Sequence, residues 1–194
     1  MTTQRRILVL GGVPGDDSVK RLMDAFYMTH LGTFRRIPTV GETLKDSSMH
    51  DEYTKKLMQD GELMPDHTAI EAFNYLFQFR FWHDMPFIVV GFPRTVAQAE
   101  HFITTLSAKQ RRAVFVHIED RKSSGSSVSS RELELYRTHT LPAYRRLRDC
   151  IDVRAMVFGA NTTLQEVAHW IQIMMGLPFL PLPGLVDNSV VMAK

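Results

Sequence analysis

The sequence predicts an α/β fold: a parallel sheet buried between two layers of helices. Two observations carry this. Four short apolar runs, Ile7–Leu10, Phe87–Val90, Ala113–Ile118 and Val153–Phe158, are rich in Val, Ile and Phe and lack the alternation of a half-exposed sheet. Such runs fit strands covered on both faces. Between them lie stretches with helical spacing, as at residues 19, 22, 23, 26 and 27 in the segment from Ser18 to Tyr27, and again in Thr95–Leu106 and Leu164–Met175. Strands alternating with helices point to one parallel sheet.

Taken in chain order, the first strand runs into Gly11-Gly12-Val13-Pro14-Gly15-Asp16-Asp17 and then into a helix. A strand, a Gly/Pro turn and a helix N-terminus together form the frame that cradles nucleotide phosphates. Two carboxylates, Asp16 and Asp17, stand in that cradle. Each would repel a bound phosphate by about 4 kcal/mol at about 4 Å and an effective dielectric near 20. At a helix start the same acids cap free N–H groups and answer the helix dipole, so the chain is expected to fill its own anion site.

Residues 123–130, Ser-Ser-Gly-Ser-Ser-Val-Ser-Ser, form a serine-rich loop inside the domain. The tail from Gly176 holds Pro178, Pro181 and Pro183 among Leu177, Phe179, Leu180 and Leu182. It cannot be a regular helix, and its apolar side chains must pack on the domain or on a partner. The aromatic run Phe73–Trp82 reads as core, with one face left as a possible partner surface.

Composition bounds the function classes. The chain has 194 residues, 44% apolar and 23% charged, with a net charge of +2, which suits one soluble domain without a strong bias toward nucleic acid. Its single cysteine, Cys150, cannot form an internal disulfide, which fits a reducing compartment. No apolar run approaches the ~18 residues of a membrane span, and the first strand begins too early to leave room for a signal peptide. The location expected is therefore cytoplasmic, or within an intracellular assembly or organelle. The eight histidines show no metal-ligand spacing. Arg137, Arg145, Arg146 and Arg148, with no acid between them, read as a solvated helix face or as a contact surface for RNA or an acidic protein.

Several ordered motifs resemble the adenylate kinase family of nucleoside monophosphate kinases over roughly residues 5–175. Gly12-Val13-Pro14-Gly15 resembles the start of the family's Gly-x-Pro-Gly-Ser-Gly-Lys-Gly-Thr loop. Thr29-His30-Leu31 with Thr33 resembles the short second strand and the start of the monophosphate-binding region. Gly61–Asp66 is similar to Gly-Glu-Leu-Val-Pro-Asp, and Gly91-Phe92-Pro93-Arg94-Thr95 with Gln98 and Ala99 matches Gly-Phe-Pro-Arg-Thr-x-x-Gln-Ala. The resemblance implies a P-loop NTPase-like three-layer α/β/α fold with a five-stranded parallel sheet, the fifth strand at Thr29–Leu31. It also implies a single domain, with an acceptor-binding insertion at about 30–66 and a shortened lid loop at about 119–130.

Aligned residue by residue, the family's lysine falls on Ser18 and its magnesium-binding hydroxyl on Lys20. Lys20 is two residues late, a helical rotation of about 200° away from the site. The aspartate before Gly-Phe-Pro-Arg is Val90, which cannot hold magnesium, and the arginine-bearing lid is missing, although Arg131 lies near one lid arginine. Phosphoryl transfer depends on such cations, so no catalytic residue and no metal site is assigned. On the acceptor side Arg94 could pair with a phosphate, Gln98 could read a base edge and Thr33 could bond either. The alternatives are that Arg94 staples its turn and Gln98 is a solvated side chain. Three functions follow. The first is a non-catalytic subunit or scaffold, docking through the 176–194 tail or an aromatic surface. The second is a sensor of an AMP-type nucleotide. The third is a weakly active nucleoside monophosphate kinase.

Overall fold

The computed structural model describes residues 7–30, 35–36, 52–78, 87–108, 111–119, 128–159, 161–182 and 185. Four full strands, β1 (Ile7–Gly12), β3 (Phe87–Val90), β4 (Ala113–Ile118) and β5 (Val153–Phe158), run parallel in the order β3-β1-β4-β5. All four apolar runs thus form strands at the places the sequence indicates. Beyond β3 the two residues of β2 (Arg35–Arg36) pair with Phe87 and Ile88. Of the fifth strand expected at Thr29–Leu31, Leu31 lies outside the described residues and Thr29 and His30 are not strand. Thr29 closes helix α1 (Ser18–Thr29), and the N–H of His30 bonds Phe26 O at 3.0 Å, so the chain is still turning where a strand was expected.

Period-two alternation sorts the strand side chains onto two faces. Ile7, Val9, Phe87, Val89, Ala113, Phe115 and Val153 enter one apolar cluster. Helices α3 (Asp66–Gln78), α4 (Val96–Ala108) and α6 (Leu141–Arg148) cover it. On the other face Leu8, Leu10, Ile88, Val114, Val116 and Phe158 meet α1 and α7 (Leu164–Met175). A short α2 (Glu52–Gln59) precedes α3, and α5 (Ser130–Leu135) leads through a π-helical turn, Tyr136–Thr140, into α6.

Helix ends are set by local chemistry. Ser129 with Glu132 and Thr163 with Glu166 form capping boxes at the starts of α5 and α7. Gly176 ends α7 at φ 66°, the left-handed conformation that glycine adopts without a side-chain clash. The tail then folds back: Gln172 donates to Leu180 O at 2.8 Å, Leu177 and Leu182 pack against the core, and Leu185 is buried. Phe179 and Leu180 face outward. In the aromatic run Phe73 and Leu76 are core while Tyr75 is exposed; residues 79–82 lie outside the described set. Cys150 is a free, half-buried thiol packed against the first cluster. Among the described residues no helix is long and apolar enough to cross a membrane.

Candidate functional site

At the carboxyl ends of β1 and β3, where the chain's crossovers diverge, a cleft of about 550 Å³ opens. Ligands of open α/β sheets settle at this position. The strand-to-helix loop forms its floor, the Gly91–Arg94 turn one wall, and α5 with the π turn the other.

The loop is closed by the chain's own groups. Gly15 sits at φ 81°, and the Asp16 N–H bonds Val13 O at 3.2 Å, making a tight turn. This turn brings the Asp16 carboxylate back over the helix start, where Oδ1 accepts from the Ser18 N–H at 2.8 Å. Oδ2 is buried without a hydrogen-bond partner. Asp17 is the N-cap residue but makes no side-chain cap bond, so of the two acids expected to cap the helix only Asp16 bonds an N–H. Ser18 is 3% exposed. Lys20 projects outward and pairs with Asp24 at 2.6 Å, and it is not part of the cleft wall.

From the opposite side, the buried ring of Tyr144 lies on the loop, with its hydroxyl end against Gly11. Burial pushes that phenol's pKa up. A Cβ at Gly11 would stand 2.6 Å from the ring, so only glycine lets the ring approach this closely. Gly11→Ala is expected to lose about 2 kcal/mol, in the range of over-packed sites, read as a lower urea midpoint at unchanged slope.

Tyr144 belongs to a cluster with Tyr136 and His117. Its ring centroid lies 4.9 Å from that of His117, and His117 Nε2 is 2.8 Å from the Tyr136 hydroxyl. Burial holds His117 neutral, with a pKa down to about 4, and raises Tyr136. Tyr136 and Tyr144, with His117 against them, therefore give this side of the cleft a neutral aromatic wall.

On the other wall, Val90 ends β3 and Gly91 turns the chain at φ 75° ahead of a cis Phe92–Pro93 bond. The Arg94 side chain is exposed on the cleft, close enough to Tyr144 and Glu132 for its charge to act on both. Gln98 is not the solvated side chain that one reading allowed. It is 3% exposed: Oε1 accepts from the Arg94 N–H at 2.8 Å, and Nε2 donates to Asp66 Oδ1 at 2.9 Å. The Thr95 hydroxyl donates to the same Asp66 oxygen at 2.6 Å. Its amide thus ties the Arg94 turn to α3, because a buried polar group needs partners. Thr33 and most of the 30–66 insertion lie outside the described residues, as do residues 120–127 of the lid loop.

Arg131 spans the rim, donating from Nε and Nη2 to Glu62 at 3.0 and 2.9 Å and from Nη1 to Glu134 at 3.1 Å. This fork holds Glu62 below its ordinary carboxylate range. Hydrogen bonds from Ser129 do the same for Glu132. Among the described residues the charged side chains lining the cleft are Asp16, Glu62 and Glu132 with Arg94, and Glu62 is paired with Arg131, a balance that opposes polyanions. Val90 offers no side-chain oxygen to magnesium, and among the described residues no group of three or more His, Cys, Asp or Glu is arranged to hold a metal ion.

The structure thus brings Gly12, Pro14, Gly15, Asp16, Val90, Arg94 and Gln98 to one cleft and leaves Lys20 outside it. Sequence reasoning missed Tyr136, Tyr144, His117 and Asp66. Asp66 was quoted only as the end of a motif, and the other three carry no spacing signal.

A strand–loop–helix frame, a cleft at the sheet's switch point and an intact Gly-Phe-Pro-Arg turn define a nucleotide-kinase-like α/β protein. No protein-family profile matches the chain. It is 30% identical over 122 residues to an adenylate kinase of Aspergillus niger, covering 60% of this chain and 46% of that protein. An adenylate kinase of Aspergillus terreus is 29% identical over 122 residues, covering 60% and 46%, and one of Talaromyces marneffei 30% over 125, covering 62% and 45%. The chain is adenylate-kinase-like, and it spans less than half the length of these curated relatives.

Proposed function

We propose that this protein is a non-catalytic member of the adenylate-kinase-like group, serving as a structural or interaction subunit of a larger assembly. One observation carries the reading: the chain fills its own phosphate loop, with the Asp16 carboxylate taking the Ser18 N–H and the Tyr144 ring lying against Gly11. A triphosphate would have to displace both groups and enter a wall with three carboxylates, with no lysine at position 18 to meet it. Loss of a single transition-state donor already costs several kcal/mol. The outward Phe179 and Leu180 of the folded-back tail supply apolar surface for a partner.

A second reading, a monophosphate sensor, rests on Arg94. Among the described residues it is the one cation lining the cleft, with a geometry suited to a phosphate dianion. Calorimetric titration separates the readings. A subunit gives no heat with millimolar AMP or with ATP–magnesium, and phosphoryl transfer no faster than buffer. AMP heat that vanishes in Arg94→Ala establishes the sensor. Magnesium-dependent turnover that scales with purified protein overturns both in favour of an active kinase.

A further inference from the structure

We propose that the outward face of the helix running from Ser130 to Arg148 docks the phosphate backbone of double-helical nucleic acid. This helix is continuous through the π turn, since its residues stay right-handed helical from Leu135 through Leu141. A π turn inserts one extra residue into the α-helical ladder. Arg137, Arg145 and Arg148 are therefore spaced as about i, i+7 and i+10, which is one face. The burial pattern agrees: Tyr136, Thr140, Ala143, Tyr144 and Leu147 turn inward, and the three arginines are exposed. Arg146 leaves this set, because its guanidinium is engaged by Glu100.

The three remaining arginines make no ion pair among the described residues, and no acid occurs between Tyr136 and Arg148. The neighbouring acids are spent or beyond the helix: Glu134 is held by Arg131, and Asp149 follows the last turn. Like charges on one helix face repel, and an anionic ligand relieves that repulsion.

Two observations choose the ligand. No large apolar residue is exposed on the helix itself, Ser130–Arg148, and the exposed Ile151 lies beyond its end in the turn into β5, whereas a protein interface centres on an apolar or aromatic anchor. Single-stranded nucleic acid needs exposed aromatic rings for its bases, and Tyr136 and Tyr144 are both buried. What is left is arginine alone, which holds phosphates and reads no sequence. RNA and DNA duplexes share that chemistry.

Fluorescence anisotropy with short labelled RNA and DNA duplexes tests this. Three phosphate contacts give a salt slope of about −2.7, so affinity should fall about 40-fold between about 50 and 200 mM salt. Changing Arg137, Arg145 and Arg148 together to Gln should weaken binding at least about tenfold at low salt and flatten the slope, each arginine accounting for about one unit of it. Lys20→Gln, on the opposite face of the sheet, should leave affinity within about twofold, since it removes a charge without a phosphate contact. Circular dichroism checks that the triple variant is folded. If it is not, the three single variants, each lowering the slope by about one unit, take its place. Three results would overturn the proposal: no binding at tens of micromolar protein in low salt, unchanged binding by the arginine variants, or polyglutamate or a single strand binding as tightly as the duplex.

Discussion

Asp66→Ala should lower the unfolding free energy by about 3 kcal/mol, because one carboxylate oxygen there serves two donors on another element. Asp66 Oδ1 accepts from the Thr95 hydroxyl and from Gln98 Nε2, groups 29 and 32 residues further along the chain. Removing it leaves a Gln98 amide that is 3% exposed without its acceptor. An orphaned buried donor costs about 1–3 kcal/mol, and hydrogen bonds to charged groups are the strong ones. In a domain of this size the loss corresponds to a fall in Tm of about 10 °C. Asp66→Asn keeps an acceptor oxygen and should cost about a third as much. The effect reaches the cleft, since Gln98 also accepts from the Arg94 N–H. Any AMP heat that depends on Arg94 should therefore weaken in Asp66→Ala, even though Asp66 is not part of the cleft wall. A Tm within a degree of wild type would mean that water replaces the carboxylate and that the staple is not structural.

The same staple marks where sequence reading stops. β3, β4, β5 and α7 begin and end at the residues their apolar patterns indicate. Burial on both faces writes a local, continuous signal in β3 and β4, whereas the edge strand β5 was expected to be covered on both faces and instead exposes Arg154 and Val157. The Gly/Pro turn after β1 was legible because its chemistry lies within a few residues. Gln98 was not, because its partner lies in another helix and nothing in its own neighbours distinguishes a solvated amide from a tied one. Tyr144 was hidden in the same way. Its meaning comes from Gly11, far away in sequence, and glycine in a loop already had a sufficient local explanation. Charge could be read residue by residue, so the missing lysine at Ser18 was visible. That Asp16 caps while Asp17 does not required the backbone direction at Gly15.

His117 should make stability fall with acid well before the carboxylates titrate. Its ring is wholly buried against Phe115, Tyr136 and Tyr144. Burial lowers its pKa to about 4; Glu119, with Oε1 3.5 Å from Nδ1, pulls the other way, and Arg148 adds to the lowering. A proton on Nδ1, toward Glu119, leaves Nε2 free to accept from the Tyr136 hydroxyl. An unfolded histidine takes its second proton near pH 6.5, whereas this one stays neutral in the fold until about pH 4. Between those values the unfolded chain holds the extra proton, so stability is full above about pH 6.5, falls as pH drops, and levels off below about 4. The whole window is worth on the order of 3 kcal/mol, of which about 2 is spent between pH 7 and 5. His30, also lowered by burial, contributes in the same direction. The measurement is therefore the difference between wild type and His117→Gln, which keeps an acceptor for Tyr136. Urea unfolding at pH 7 and pH 5 should show wild type losing about 2 kcal/mol more than the variant. Parallel losses would mean that water reaches the ring, and the wall of neutral aromatic groups beside the phosphate loop would then be a hydrated, protonatable one.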